Sequence, residues 1–353
     1  MTARATPESI RAIMRRKETQ EQLNILTFAT HERYEQQLCK TGHQFYSIKT
    51  GKLWDTDYGK IPDNYHPMTE FPSGVDFDLV LCHTACDRLQ SSLRIRDEFN
   101  IPIALHTHVL PDVRFNVTDQ VGNYKKAVES LDSVSFISEY SMKQWGFNKR
   151  QSTVIEHGID YDFWSEEKIY DRDKVCLAVV NDWANRDWCC GWQKYNDVMG
   201  KYVSDIGDAV DAKKMKYVNK VRPLVVGKNP GLSEPAESIE ELRRIYHGSL
   251  IYLNTSLHSP VPTAMMEAMA CGCAIVSTEN CMIPEIVKHG YNGLLSNDVK
   301  ELQRYIERVE SDPDLAKELG FNAQKTIKEK YSLSRFTNSW NDLFYNTINN
   351  YKG

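Results

Sequence analysis

Two stretches of the chain bring chemically capable residues together. In residues 249–295 an apolar run ends at Asn254, a Ser/His/Pro loop follows, and a helical pattern begins near Pro262 or Thr263. Proline suits the first turn of a helix, where its missing N–H would have no partner. The first-turn amides of such a helix point back at the loop and make an anion site. Thr263 and Ala264 are therefore expected to offer N–H groups to a phosphate. Glu267 lies one turn further on, where a carboxylate can accept hydrogen bonds from ribose hydroxyls. Ala268, Ala270 and Gly272 are small, so the helix can pack close to a sheet. A phosphate site beside a carboxylate suits a nucleotide.

The second stretch is Ile101-Pro-Ile-Ala-Leu-His106-Thr-His108, an apolar strand pattern with two histidines at its carboxyl end. Alternate strand positions share a face, so His106 and His108 would do so if the strand reached 108. A His-x-His pair can begin a metal site, but no third ligand is apparent in the sequence. Asp-x-Asp pairs at Asp55/Asp57, Asp76/Asp78, Asp160/Asp162 and Asp171/Asp173 are scattered through an acidic chain and read as chance. His31 and Glu32 follow one strand pattern and His83 follows another. They are candidates for contact with a substrate, or ordinary first-turn helix residues.

Apolar, β-rich runs at 23–29, 77–82, 101–106 and 133–138 alternate with helical patterns. The second half repeats the scheme at 175–180, 223–226, 250–254 and 274–277. This alternation predicts βαβ units and parallel sheets. A charged stretch without apolar period at 165–172 marks a boundary between two α/β domains. Residues 47–72 are the longest stretch without a clear period, and read as a functional loop or an irregular insertion. Ligands of such sheets bind beyond the carboxyl ends of the strands, so the cleft between the domains is the expected site.

Composition narrows the classes further. The 353 residues suffice for about two domains. Apolar residues at 41% and charged residues at 26% are those of a folded soluble chain, not a disordered one. A net charge of -5 dictates no partner. No run approaches the roughly 20 apolar residues of a membrane span, and the first residues lack the apolar core of a secretory signal. The nine cysteines read as reduced thiols, which fits a cytoplasmic location.

Residues 249–295 resemble the donor-binding motif of family-four glycosyltransferases, the glycosyl transferases group 1 type with the GT-B fold. Glu267-Ala-Met-Ala-Cys-Gly272, Ile275-Val-Ser277, Pro284-Glu285 and Gly290-Tyr-Asn-Gly293 follow the family pattern in order and spacing. Asn322-Ala, Tyr331-Ser and a last helix from Phe336 containing Trp340 continue it, and the resemblance is specific over about 236–345. It implies two Rossmann-like domains with parallel sheets facing a central cleft: an acceptor domain over 21–168 and a nucleotide-sugar domain over 169–330. It also implies a helix over 331–353 crossing back to the first domain; residues 1–20 would be a helical extension.

The resemblance implies a retaining transferase that uses a nucleoside-diphosphate sugar, displaces the diphosphate on one face and requires no metal or other cofactor. Glu267 would hold the ribose, with His108, His258 and Ser259 lining the sugar. Ser259 stands where the family has a carboxylate, and losing a charge-assisted bond worth about 1.5–3 kcal/mol changes which sugar is preferred. A pentose or an amino sugar becomes a candidate donor. The family holds the diphosphate with an Arg and a Lys; Arg186 is the choice for the first and Lys194 for the second, with Lys228 as a competitor, since departing diphosphate charge needs fixed cations. His157, in a turn before the linker, is a further cleft candidate. The acceptor is open: a glycan, a lipid or a hydroxylated base in viral DNA. Basic segments at 9–17 and 213–222 permit the last. An epimerase or a non-catalytic sugar-nucleotide-binding module are the other readings.

Overall fold

The computed structural model describes residues 21–49, 54, 59–83, 87–165, 172–200, 221–259 and 261–351. The N-terminal extension with its basic segment, residues 213–220 of the second basic segment, Asp55, Asp57 and Asp171 lie outside the described residues.

Strands β1 (Asn24–Phe28), β2 (Gln44–Ile48), β3 (Tyr65–Met68), β4 (Leu79–His83), β5 (Ile103–Thr107), β6 (Ser133–Phe136) and β7 (Thr153–Val154) form the first sheet. Their order is β3-β2-β1-β4-β5-β6-β7. The second sheet contains β8 (Asp173–Val179), β9 (Arg222–Val226), β10 (Ser249–Asn254), β11 (Ala274–Ser277) and β12 (Leu294–Leu295), in the order β12-β11-β10-β8-β9. All strand pairs are parallel. Ile25 and Leu26 in β1, Val80 and Leu81 in β4, and Cys176 and Leu177 in β8 are buried, as strands covered on both faces require. The architecture is two Rossmann-like α/β domains.

Both strand orders reverse once: between β1 and β4 in the first sheet, and between β8 and β10 in the second. A crevice opens where neighbouring strands send their connections to opposite faces. The ends of β1 and β4 carry Thr30, His31 and His83, and the end of β8 carries Val180 and Asn181. Topology alone thus selects much of the cleft lining.

The final helix, Leu333–Asn350, returns to the first sheet. Phe336, Trp340, Leu343 and Phe344 pack with Ile25, Phe45, Leu79 and Ala104 in one apolar cluster. Burying a phenylalanine side chain is worth about 1.5–3 kcal/mol, so this helix is a strut between the two halves. The stretch 47–72, expected to be a loop or insertion, contains β3 at the edge of the sheet. Only four residues long and interrupted by Pro67, β3 shows little strand pattern; an edge position tolerates the missing N–H.

Candidate active site

A cavity of about 620 Å³ lies between the domains. Its C-terminal wall is Val179, Val180 and Asn181 after β8, together with Thr263, Ala264 and Glu267 on the helix Thr263–Ala270. Its N-terminal wall is Thr30, His31, Arg33, Tyr34 and Gln37, with His83, Arg88, His108 and His157.

The C-terminal wall follows from local sequence. Pro262 precedes the first helical residue and supplies no side-chain cap. Thr263 and Ala264, half-buried, occupy the positive end of the helix dipole at the cavity. Behind them Met265, Met266, Ala268, Met269 and Ala270 are fully buried, so the helix sits rigidly against the sheet. Gly227, at φ 139°, permits the second feature, because a Cβ there would run into the carbonyl oxygen of Val180. This close approach lets the Lys228 N–H donate to Asn181 Oδ1 at 2.8 Å. Asn229 Nδ2 donates to the Val180 carbonyl at 2.7 Å.

Glu267 is only 2% exposed. Arg33, from the other domain, donates from Nη2 to Glu267 Oε1 at 2.5 Å, and the Tyr246 hydroxyl donates to Oε2 at 3.2 Å. Burial raises the pKa of Glu267, while the Arg33 guanidinium and the Tyr246 hydroxyl pull it back. The carboxylate expected at a ribose thus forms an ion pair across the cleft.

The N-terminal wall is assembled from distant segments. His31 caps the helix Glu32–Cys39, its Nδ1 accepting the Arg33 N–H at 3.3 Å. Buried Glu35 accepts the Thr30 N–H at 2.5 Å and the Tyr65 hydroxyl at 2.6 Å. These bonds fix the turn that carries Arg33 and Tyr34 into the cleft. His83 Nδ1 and His108 Nε2 share a hydrogen bond of 2.9 Å. The Tyr34 ring meets His108 and His157 edge-on, at centroid distances of 4.5 and 5.5 Å. Removal from water pushes His83 down to about 3, with Arg88 adding to the effect, and His157 down to about 4. It takes His106 and His108 well below the usual range. Burial thus disfavours the charged form throughout the cluster.

Among the residues expected from sequence, Thr263, Ala264, Glu267, His31, His83, His108 and His157 line the cavity. His106 sits behind the wall, bonded to Ser135 Oγ at 2.9 Å and packed on Trp340. Glu32 lies off the cavity and pairs with Lys49 at 3.3 Å. His258 bonds the Pro111 carbonyl at 3.1 Å and lies against Trp188. Half-buried Ser259 is likewise outside the lining. None of the three expected cations lines the cavity. Arg186 is exposed beside the short helix Asp187–Cys190, and Lys194 donates to the Asn297 carbonyl at 2.7 Å. Lys228 is exposed but anchored through its backbone to the lining residue Asn181.

The cations that do line it, Arg33 and Arg88, were passed over in sequence. Arg33 and Gln37, four residues apart on one helical face just after β1, were the available signal. Arg88 follows β4 in the same way. Among the described residues no group of three or more His, Cys, Asp or Glu side chains is arranged to hold a metal ion. Among the same residues no helix is long and apolar enough to cross a membrane.

The two Rossmann-like domains share their fold with solved GT-B glycosyltransferases. Residues 235–326 match the family model of glycosyl transferases group 1. An alpha-maltose-1-phosphate synthase of Mycolicibacterium smegmatis is 33% identical over 100 residues, 26% of either chain. The uncharacterized glycosyltransferase MJ1178 of Methanocaldococcus jannaschii is 25% identical over 269 residues, 72% of this chain and 71% of that protein. The first curated relatives are matched over 26%, 29% and 28% of their length. A solved glycosyltransferase from Rickettsia africae superposes with a TM-score of 0.70 at 15% identity, covering 94% of this chain and all of the other (100%). Anabaena HepE, solved with UDP and glucose, gives a TM-score of 0.68 at 15% identity, covering 91% of this chain and 98% of its own.

Proposed function

We propose that the protein is a glycosyltransferase that moves a sugar from a nucleoside-diphosphate sugar to a hydroxyl acceptor with retention of configuration and without a metal. The observation that carries this reading is the meeting of Thr263, Ala264 and Glu267, at one helix start, with the buried histidine wall around one cavity. The group 1 family match over 235–326 and the solved complex of Anabaena HepE with UDP-glucose support a nucleotide-sugar donor.

Glu267 accepts hydrogen bonds from the ribose hydroxyls once Arg33 releases it. The amides at Thr263 and Ala264 hold the diphosphate, with Lys228, tied through its backbone to the lining residue Asn181, as the adjoining cation. His108, buried and oriented by His83, takes a sugar hydroxyl. Among the described residues Glu267 is the one carboxylate of the lining, and its ribose role leaves no other there to attack the anomeric carbon. The acceptor oxygen therefore bonds to that carbon on the face from which the diphosphate departs. The bond from the anomeric carbon to the phosphate oxygen breaks, and the acceptor proton passes to that oxygen. Donors bound so are held by differential contacts to the departing charge. A cavity of about 620 Å³ between two domains suits a small acceptor better than a base in duplex DNA.

The test is a thermal-shift panel of UDP, GDP, ADP and their sugars in the presence of EDTA, followed by donor turnover. One nucleotide is expected to raise the unfolding midpoint, because it binds the native state alone, and its sugar form to be slowly hydrolysed. The absence of any shift would remove the reading's main support.

A further inference from the structure

The cations lining the cavity, Arg33 and Arg88, both come from the N-terminal wall, and among the described residues that wall contributes no carboxylate to the lining. Glu267, opposite, is already shared with Arg33. Arg88 is the second residue of the helix Asp87–Phe99, directly after β4. Its Nη1 donates to the Ala29 carbonyl at 2.5 Å, which ties this helix to the end of β1. Arg88 thus stands in the crevice where the order of the first sheet reverses, the place where such sheets hold ligands. It pairs with no carboxylate among the described residues. One carbonyl uses one of the five N–H donors of a guanidinium. A half-buried charge without a counter-ion is costly unless something pairs with it. Neighbouring His83 and His108 add hydrogen-bonding groups but no negative charge.

We infer that the acceptor is a small molecule carrying an anionic group, a phosphate or a carboxylate, held by Arg88 and by Arg33 once Glu267 has turned to the ribose. A guanidinium matches either anion with two parallel bonds. Anchoring the anion at Arg88 puts the acceptor's hydroxyl beside the His83–His108 pair, facing the sugar. This inference rests on the transferase reading, since it assigns the second substrate of the same cleft.

The experiment titrates the full-length protein with inorganic phosphate, malonate and glycerol at constant ionic strength, with the cleft saturated by the nucleoside diphosphate that binds. Phosphate or malonate is expected to bind the nucleotide complex, and glycerol is not. Whichever anion binds more tightly separates phosphate from carboxylate acceptors. Arg88→Gln should weaken that anion by about ten-fold or more, as loss of a charge-assisted bond implies, and leave nucleotide affinity within about two-fold. Anion binding unchanged by Arg88→Gln, strict competition between anion and nucleotide, or equal binding of glycerol would overturn the inference. Should Arg88→Gln fail to fold, phenylglyoxal labelling of the wild-type protein serves instead. The tighter-binding anion should protect the Arg88 peptide, and an unprotected Arg88 would overturn the assignment. If no nucleoside diphosphate binds, the transferase reading fails; Arg88-dependent anion binding in nucleotide-free protein would still establish the anion site.

Discussion

The two walls of the cleft are built in opposite ways. The C-terminal wall draws Thr263, Ala264 and Glu267 from five consecutive positions on a single helix, packed on the second sheet by fully buried methionines and alanines. The N-terminal wall draws Arg33, His83, Arg88, His108 and His157 from four separate segments and joins them by side-chain contacts. The first wall is a local motif presented by a rigid element. The second exists only after the sheet has formed and the final helix has docked: Arg335 on that helix holds the carbonyls of Glu156 and His157, each at 3.1 Å. Changes to the first wall should therefore affect ligand binding, and changes to the second should affect stability as well.

The largest effect separating the walls is expected at Glu267. Glu267→Ala should weaken nucleotide binding by about a hundred-fold, the loss of two charge-assisted bonds, as read by calorimetric titration. Its stability should fall by no more than about 1–3 kcal/mol, the cost of leaving the buried Tyr246 hydroxyl without its acceptor, because the unpaired Arg33 is partly exposed at 28%. A hundred-fold loss that came with collapse of the fold would erase the distinction between the walls.

The histidine wall should make stability depend on pH. His83 and His157 are held down, to about 3 and about 4, so the unfolded chain takes up their protons first as pH falls. Their contribution is complete above about pH 6.5, the unfolded value, and declines as pH falls toward the folded values. Each adds a slope of up to about 1.4 kcal/mol per pH unit in that window. Denaturant unfolding between pH 4.5 and 7 should show stability falling with acid, and His83→Asn should flatten the curve. An unchanged slope in His83→Asn would mean that His83 is accessible to protons in the folded state.

Arg33 joins the walls. Arg33→Ala leaves Glu267 buried beside Tyr246 without its counter-charge, and should cost about 1–3 kcal/mol, below the range for fully buried pairs because Arg33 is partly exposed. Adding Glu267→Gln should recover most of that loss. A double mutant no more stable than Arg33→Ala would show that the pair is not coupled. The smallest effect is expected at Lys194, whose ammonium is held by the Asn297 carbonyl. Lys194→Ala should change nucleotide affinity by less than about two-fold, within the scatter of distant, independent sites; a larger change would extend the C-terminal wall to the loop at Asn297.

This difference in construction also governs what could be read in the sequence. Thr263, Ala264 and Glu267 were legible because strand, loop and helix start follow one another within residues 249–267. The parallel strands were legible because their apolar runs are continuous. His31, His83 and His108 were legible only as residues at strand ends. The convergence of His83 and His108 on Tyr34, and the exclusion of His106 from the cavity lining, depend on strand register, with β4 pairing His83 to His106. Arg33 and Arg88 resemble surface arginines of ordinary helix first turns, and nothing local reveals that a second domain covers them. The edge strand β3 was hidden by Pro67 and by its brevity. The cations sought after β8, Arg186 and Lys194, followed the expected position in the chain, but the short helix Asp187–Cys190 leaves Arg186 exposed.

The most direct measurement is the structure of the protein with the nucleoside diphosphate that stabilises it. The account predicts the diphosphate at the amides of Thr263 and Ala264, both ribose hydroxyls on the Glu267 carboxylate, and Arg33 parted from Glu267. A nucleotide bound elsewhere, with the Arg33–Glu267 pair intact, would contradict it.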